Sequence, residues 1–242
     1  MATVQIDKNR LPVHVGIIMD GNGRWANARG LPRHFGHKEA CKRIIDIVED
    51  CQDYGIYVVS LYAFSTENWS RPQDEIDHLF NYLDDFFKRE IDRLMKNEIK
   101  IIISGDLSKL PEHTQKTTLD AINKTKDNKR TIVNICLNYG GKQEIVRAAQ
   151  LIADEVKEGK IDSKDITLDY FENHLYTKGL PNVDLLVRTS GEMRTSNYLP
   201  WQLAYAEFIF TPVKWPDFKR KDLINCFEEF NKRNRRFGGL DK

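Results

Sequence analysis

The chain has 242 residues, and its 37 Lys and Arg against 36 Asp and Glu leave a formal net charge of +1. This length allows a full hydrophobic core, and the balanced charge excludes a global field that would attract nucleic acid or anionic lipid. The four cysteines lie in apolar patterns without CxxC spacing, which predicts reduced core residues. Because we find no signal-like segment and no apolar run of about 18 residues, we expect a cytoplasmic protein that does not span a membrane.

Six short apolar runs predict strands, and helical periods separate most of them. They are residues 15–19, 57–64, 100–104, 131–137, 183–188 and 207–211. Strands that alternate with helices form parallel βαβ units, so the sequence predicts an α/β fold. No linker, repeat or low-complexity segment interrupts this pattern, and we expect a single domain over residues 1–242.

The first run leads into the sequence Asp20-Gly21-Asn22-Gly23-Arg24. Ligands of open α/β sheets bind at the carboxyl ends of strands, where Asp20 is predicted to lie. Glycines let backbone N–H groups approach an anion. A carboxylate can hold a divalent cation, and a guanidinium binds phosphate oxygens. The stretch therefore suits a phosphate site, although Asp-Gly and Asn-Gly are also ordinary turn dipeptides.

The next stretch again places a polar loop beside a predicted helix. A helix is predicted from His37 to Tyr54, with Gly55 as its stop. The preceding residues 30–37, which include Arg33, are predicted to form a basic loop. It suits either solvent exposure or the phosphate site.

The second strand ends in the polar loop 65–72, which contains Asn68, Trp69 and Arg71. Trp69 also suits ordinary core packing. The following residues 73–97 have the strongest helical periodicity in the chain, with a wide stripe of apolar and aromatic side chains. A helix of that length spans about 35 Å. Its stripe indicates a core-facing helix, which could also line a tunnel for an extended hydrophobic ligand.

Two features late in the chain complete the set of candidate residues. Arg188 ends the fifth apolar run, and the hydroxyl-rich loop after it carries Arg194, which suits an anion site. Glu207 begins the last run, where an unpaired carboxylate is costly. We therefore expect Glu207 to share a metal ion with Asp20. The basic residues 232–236 suit the end of a helix.

Together, these loops predict a site for a diphosphate and Mg²⁺ at one edge of the sheet. The sequence contains no GxxxxGK[ST] and no GxGxxG after a strand, which argues against the common nucleotide sites. The apolar stripe of residues 73–97 indicates that the substrate has a hydrophobic tail.

The sequence resembles the cis-prenyltransferase family, and bacterial undecaprenyl diphosphate synthases most of all. The matching motifs span nearly the whole chain in the family's order. They are HVGIIMDGNGRWA (His14–Ala26), RHFGHK (Arg33–Lys38), YAFSTENWSRP (Tyr62–Pro72), LNYGG (Leu137–Gly141), RTSGEMRTSN (Arg188–Asn197), WQLAYAEFIFT (Trp201–Thr211), WPDF (Trp215–Phe218) and RRFGG (Arg235–Gly239). Two positions depart from many relatives, which carry leucine where Thr195 stands and phenylalanine where Tyr198 stands.

The resemblance implies a six-stranded, mostly parallel sheet flanked by helices, with a hydrophobic cleft or tunnel. It also implies a Mg²⁺-dependent homodimer that condenses isopentenyl diphosphate repeatedly onto an allylic diphosphate such as farnesyl diphosphate. The product would be a polyprenyl diphosphate with cis double bonds, which we expect to be the C55 carrier lipid of cell-wall synthesis. Peripheral contact with a membrane would serve product release, and no nucleic-acid partner is implied.

The resemblance also assigns roles to individual residues. Asp20 and Asn68 correspond to catalytic residues, in metal-assisted ionisation of the allylic diphosphate and in proton removal. Asp20 and Glu207 correspond to metal ligands. The residues implied to bind substrates are Gly21, Asn22, Gly23, Arg24, Trp25, Arg33, His37, Ser65, Thr66, Glu67, Trp69, Arg71, Arg188, Arg194, Thr195 and Ser196. The segment Arg236-Phe237-Gly238 corresponds to a tail that reaches the partner subunit's site.

Two other functions remain open from the residues. In a metal-dependent phosphohydrolase, Asp20 would be the nucleophile, but Asn22 stands where such sites usually need a second aspartate. A non-catalytic partner subunit would lack phosphate ligands, whereas the arginines and carboxylates predicted above are all present. Amides are poor bases, so the leaving diphosphate or a water molecule could remove the proton instead of Asn68.

Overall fold

The computed structural model describes residues 6–235, which form one six-stranded sheet with helices on both faces. The strands are β1 (His14–Ile18), β2 (Val58–Ser65), β3 (Ile99–Ser104), β4 (Thr131–Tyr139), β5 (Leu185–Arg188) and β6 (Glu207–Phe210). The helices are α1 (Asn22–Asn27), α2 (Arg33–Asp53), α3 (Gln73–Lys96), α4 (Glu112–Thr125), α5 (Gly141–Lys157), α6 (Leu168–Glu172) and α7 (Arg220–Lys232).

The strand order is β3-β4-β2-β1-β5-β6, and each neighbouring pair is parallel. The predicted α/β fold is confirmed, and the sheet is fully parallel where we expected a mostly parallel one. From β1, the chain passes to β2 on one side, and β5 later pairs with β1 on the other. This reversal creates a crevice at the carboxyl ends of the central strands, where such sheets bind ligands.

The two faces of the sheet bury different kinds of side chains. The larger core contains Val15, Leu61 and Val187 of the sheet, together with aromatic residues of α3 and α7. The smaller core, on the opposite face, is built around Tyr139 and Tyr198, which are both fully buried. Large apolar burial on both faces explains why the strands read as continuous apolar runs.

Gly16 of β1 makes room for the ring of Tyr198. A Cβ atom at Gly16 would lie 3.3 Å from Cε1 and 3.5 Å from the hydroxyl of Tyr198. The ring of Tyr198 stacks on Tyr62, with centroids 4.6 Å apart. A small residue in the strand therefore accommodates the larger phenol at this position.

A row of buried polar side chains crosses four strands within the sheet. The hydroxyl of Ser104 donates to Asn134 Oδ1 at 2.8 Å, and Asn134 Nδ2 donates to Ser60 Oγ at 2.9 Å. His14 Nε2 lies 2.7 Å from Ser60 Oγ, and its Nδ1 lies 2.8 Å from the carbonyl oxygen of Pro181. A carbonyl only accepts, so Nδ1 carries the proton and Nε2 accepts from Ser60. Burial lowers the pKa of His14 to about 4, although the hydrogen bond to Pro181 and the charge of Asp184 oppose this shift.

The boundary predicted for the first long helix is wrong by four residues. α2 begins at Arg33, directly after Pro32, so that five of the eight residues of the predicted loop 30–37 are helical. Gly36 lies within the first turns of α2. A glycine is needed there because the carbonyl oxygen of Asn22 lies 2.0 Å from where a Cβ would stand. A glycine that suggested a loop therefore marks a close helix contact. The helix predicted over 73–97 agrees with α3 to within one residue.

The four cysteines are free thiols, three of them buried, as the sequence predicts. Within residues 6–235, no helix is both long enough and apolar enough to cross a membrane.

Candidate active site

Asp20 lies immediately beyond β1, and hydrogen bonds hold both its backbone and its carboxylate. Its N–H donates to the hydroxyl of Thr189 at 2.9 Å, and its carbonyl oxygen accepts from the N–H of Trp215 at 3.0 Å. Oδ1 accepts from the N–H of Gly21 at 2.6 Å. Oδ2 faces Arg188 at 3.0 Å and Arg24 at 3.2 Å. The carboxylate is thus fixed between two cations at the sheet edge.

These contacts keep the carboxylate ionised. Burial by itself raises the pKa of Asp20, but the hydrogen bonds from Arg188 and Gly21 and the charge of Arg24 outweigh it. The pKa of Asp20 therefore lies below its ordinary value. An ionised carboxylate in a partly exposed position can still bind a cation that arrives with a substrate.

The glycine-rich stretch after Asp20 is a helix start, where the sequence predicted a loop. Gly21 has φ +95° and precedes α1. Asn22 Nδ2 donates to the carbonyl oxygen of Met19 at 3.0 Å, while its Oδ1 is buried without a hydrogen-bond partner. Gly23 contacts the side chain of Arg33, so a Cβ there would lie 3.0 Å from its Cγ.

Trp25 is one of the predicted site residues that do not line the main cavity, as are Arg24, Thr66, Glu67 and Thr195. Its indole N–H donates to Asp217 at 2.8 Å, and the guanidinium of Arg29 lies 4.1 Å from the ring centroid. Arg29 also pairs with Asp217 at 3.2 Å. These contacts brace the outer side of α1.

Glu75 of α3 gathers three predicted substrate-binding residues that are distant in sequence. Its Oε1 lies 3.2 Å from Arg33, 3.7 Å from His37 and 3.0 Å from Arg71. Burial, followed by the charges of Arg71 and Arg33, lowers the pKa of His37 to about 3. The imidazole is therefore neutral at physiological pH. Sequence analysis missed Glu75, whose only signal is its position four residues after Arg71.

The loop after β2 is a single 3₁₀ turn from Thr66 to Ser70. The amide oxygen of Asn68 accepts from the N–H of Ser65 at 3.0 Å, which fixes the side chain at the cavity. The hydroxyl of Thr66 is buried without a partner. Glu67 accepts from the amide of Asn197 at 2.9 Å. This bond connects the loop after β2 to the loop after β5.

Trp69 belongs to the core beside the site. Its indole N–H donates to Asn138 Oδ1 at 2.8 Å, and its ring packs against Phe64 and Phe80. Its predicted contact with substrate is not visible in the geometry, because Trp69 does not line the cavity.

Arg188 connects Asp20 to the loop that follows β5. It is 4% exposed and donates to Ser196 Oγ at 2.9 Å. Arg194 pairs with Glu192, which also lies 2.8 Å from Arg24. Thr195 is half-buried at the turn before Tyr198, whose N–H donates to its carbonyl oxygen at 3.1 Å.

A cavity of about 350 Å³ joins these loops to an apolar interior. Its polar end includes Asp20, Arg33, His37, Ser65, Asn68, Arg71, Arg188, Arg194 and Ser196. Its apolar end includes Ala40, Cys41, Ile44, Ala63, Leu79, Phe80, Leu83 and Leu137. The stripe on α3 therefore serves both as core and as cavity wall. The arrangement suits a ligand with an anionic head and a hydrocarbon tail.

The prediction that Glu207 shares a metal with Asp20 is wrong within one chain. Glu207 starts β6 and pairs in register with Leu185 at the start of β5, whereas Asp20 lies beside Arg188 at the end of β5. Asp20 thus lies at the carboxyl ends of the strands, and Glu207 lies at their amino ends. Glu207 is instead paired with Arg233 at 2.8 Å. The predicted tail residues Arg236, Phe237 and Gly238 lie outside the described residues.

Comparison with known proteins agrees with this geometry. The Prenyltransf family model, which describes undecaprenyl diphosphate synthases, matches residues 18–238. An isoprenyl transferase of Clostridium perfringens is 48% identical over 233 residues, covering 96% of this chain and 92% of that protein. An isoprenyl transferase of Halalkalibacterium halodurans is 49% identical over 235 residues, covering 97% and 92%.

Solved structures also match over nearly the whole chain. Lavandulyl diphosphate synthase from Lavandula x intermedia, in complex with dimethylallyl diphosphate, superposes with a TM-score of 0.93 at 35% identity, covering 96% of this chain and 100% of that one. A probable undecaprenyl diphosphate synthase from Campylobacter jejuni gives a TM-score of 0.77 at 32% identity, covering 94% and 99%. These matches overturn the phosphohydrolase alternative. The chain belongs to the undecaprenyl diphosphate synthase family and is a prenyltransferase.

Proposed function

We propose that this prenyltransferase condenses isopentenyl diphosphate repeatedly onto an allylic diphosphate, with Mg²⁺ as its cofactor. The observation that carries the proposal is one shared cavity, in which Asp20 and several arginines face the apolar walls of α2 and α3. Departure of diphosphate builds negative charge, which the arginines stabilise. The apolar walls exclude water from the allylic cation.

The residues present fit a magnesium ion that arrives with the substrate. Asp20 is ionised and partly exposed at the cavity. Mg²⁺ in phosphate-transfer sites is typically held by one or two carboxylates together with substrate oxygens. When bound, the ion neutralises the leaving diphosphate. Asp20 is its proposed ligand, and Glu207 would require a site at the other sheet edge.

The reaction breaks the allylic C–O bond and forms a C–C bond to the terminal carbon of isopentenyl diphosphate, which then loses a proton. Asn68 lies beside this site with its amide oxygen bonded to Ser65. We propose that Asn68 orients the substrate, since an amide is a weak base, and that released diphosphate or water accepts the proton. His37, which is neutral, can accept a hydrogen bond from the substrates or from water.

We propose two subsites, one for each diphosphate substrate. Gly21, Asn22, Gly23 and Arg24 are proposed to bind the allylic diphosphate, assisted by Arg33 and His37. The loop after β5 is proposed to bind isopentenyl diphosphate through Arg194, Thr195 and Ser196, with Arg188 between the two. Ser65, Thr66, Glu67 and Arg71 close the second side of the site.

The expected primer is farnesyl diphosphate, and the expected product is undecaprenyl diphosphate for cell-wall carrier lipid. Support comes from the bacterial isoprenyl transferases, which match at nearly half of their positions. A long polyprenyl product is insoluble in water, so contact with a membrane at release is part of the proposal.

We also propose a homodimer. β6 pairs only with β5 among the described residues, which leaves its other edge open. Val146 and Leu151 on α5 are 56% and 38% exposed. Exposed apolar residues on a helix and an open strand edge both suit contact with a second copy of the chain.

The proposal is tested by incubating purified protein with farnesyl diphosphate, labelled isopentenyl diphosphate and Mg²⁺, and resolving the products by length. A ladder ending near C55 is expected. A short product would keep the chemistry and contradict the carrier-lipid role. No incorporation, with and without detergent, would contradict the function and favour a non-catalytic partner subunit.

A further inference from the structure

The segment Val213-Lys214-Trp215 connects the two loops that build the diphosphate end of the cavity. The N–H of Ser190 donates to the carbonyl oxygen of Val213 at 2.8 Å. The N–H of Trp215 donates to the carbonyl oxygen of Asp20 at 3.0 Å. The backbone on both sides of Lys214 is therefore bonded to a different loop of the site, which fixes where its side chain starts.

The stem of Lys214 lies against Gly21. A Cβ at Gly21 would stand 3.1 Å from Cγ of Lys214 and 2.6 Å from the hydroxyl of Ser190. Three bonds separate Cγ from the ammonium nitrogen, so the charge can reach the glycine-rich stretch without any movement of the backbone. Lys214 is half-buried there. It belongs to none of the residues that sequence analysis assigned to the site.

The other cations of the site are all paired. Arg24 and Arg188 face Asp20, Arg33 and Arg71 face Glu75, and Arg194 faces Glu192. A diphosphate that recruits these five arginines must compete with three carboxylates. Among residues 6–235, Lys214 has no carboxylate within ion-pair distance. Its charge is available before any ion pair breaks.

We propose that Lys214 binds the diphosphate of the allylic substrate and supplies the cation that meets it first. Contact with Gly21 places Lys214 beside the proposed allylic subsite, whereas Arg194 and Ser196 mark the other subsite. An unpaired charge at the edge of a site accelerates capture of an opposite charge and makes it sensitive to salt. This inference rests on the proposed function for the identity of the substrate.

The test compares Lys214→Met with wild type in two measurements. In the first, steady-state kinetics should show the KM for allylic diphosphate raised about fivefold, with kcat and the KM for isopentenyl diphosphate nearly unchanged. In the second, calorimetric titration with inorganic pyrophosphate and Mg²⁺ should show about fivefold weaker binding. The difference should shrink as the salt concentration rises.

Two further variants complete the design. Lys214→Arg should retain both parameters, because it keeps the charge. Lys221→Met removes an exposed lysine of α7, outside the site, and should match wild type. Thermal melting confirms that each variant is folded. Unchanged pyrophosphate binding in Lys214→Met would overturn the proposal, and so would a rise confined to the KM for isopentenyl diphosphate. The titration needs no turnover, so its result is independent of the proposed function.

Discussion

Asp20 concentrates several roles in one side chain. It bonds to Gly21, faces Arg24 and Arg188, and is our proposed ligand for Mg²⁺. Its two oxygens are already positioned before any substrate arrives. Such preorganised charges contribute most to catalysis when the reaction develops charge nearby.

Asp20→Ala is expected to lower kcat by a factor of about 10³, because the metal ligand and the anchor of Arg188 disappear together. Arg188 is buried, so its lost partner should also cost about 1–3 kcal/mol of unfolding free energy. Steady-state kinetics and chemical denaturation measure the two effects. Near-wild-type turnover in excess Mg²⁺ would contradict the role of Asp20, while a variant that cannot fold would require Asp20→Asn as the cleaner comparison.

Arg194→Ala is expected to raise the KM for isopentenyl diphosphate about tenfold and to change the KM for the allylic substrate much less. Arg194 lines the cavity on the loop after β5. Measuring each KM with the other substrate saturating separates the subsites. Equal increases in both values would mean that the two diphosphates do not occupy separate sites.

At the scale of elements, α1 and α2 pack together through glycine. The carbonyl oxygen of Asn22 would lie 2.0 Å from a Cβ at Gly36. No side-chain rotation relieves that contact, because the atom belongs to the backbone. The close approach of the two helices therefore depends on this one residue.

Gly36→Ala is expected to cost about 3 kcal/mol of unfolding free energy and to displace α1, so kcat/KM should fall as well. Gly159→Ala provides the control. It has φ +72° and no atom within 4 Å of the added methyl group, so only a modest backbone cost of about 1 kcal/mol is expected there. A Gly36→Ala variant as stable and as active as this control would refute the contact.

Two histidines with lowered pKa values, His14 of β1 and His37 of α2, predict how stability depends on pH. The pKa values of His14 and His37 are lowered by burial to about 4 and about 3, below the ordinary value of 6.5. Between pH 4 and 6.5 the unfolded chain therefore binds more protons than the native one, and stability rises with pH.

Each histidine is expected to contribute up to about 1.4 kcal/mol per pH unit in that range, with no further gain above pH 6.5. Denaturant unfolding at a series of pH values measures this slope. The carboxylates contribute to it mainly at the lower end of the pH range. His14→Gln should reduce the slope of unfolding free energy against pH by about the contribution of one histidine. A slope unchanged in that variant would show that His14 does not titrate as its burial indicates.

At the scale of the whole molecule, one edge of the sheet gathers the chemistry. The loops after β1, β2 and β5 meet there because the strands are parallel and adjacent in the order β2-β1-β5. The opposite edge holds Glu207 paired with Arg233. The candidate site and the amino-terminal ends of the strands are thus separated by the full length of the strands.

The proposed homodimer is testable at this scale. Introducing charge on α5 by Val146→Glu together with Leu151→Glu should convert the dimer to a monomer, because both side chains are exposed in a single chain. Light scattering after size exclusion measures the mass. Leu119→Glu, at a residue of α4 that is 48% exposed, is the control and should remain dimeric. A wild-type protein that is monomeric at micromolar concentration would contradict the proposal outright.

The α/β class, the approximate strands and the polar residues at the carboxyl ends of three strands were all predictable from the sequence. These features depend on local periodicity and on residue type, which are readable without coordinates. The sequence could not show that Glu75 meets Arg33 and Arg71, that α2 starts at Arg33, or that Glu207 lies far from Asp20. Each of these depends on which distant segments pack together and on which end of a strand a residue occupies. The same holds for Lys214, whose place beside Gly21 arises only because the segment after β6 bonds to two separate loops.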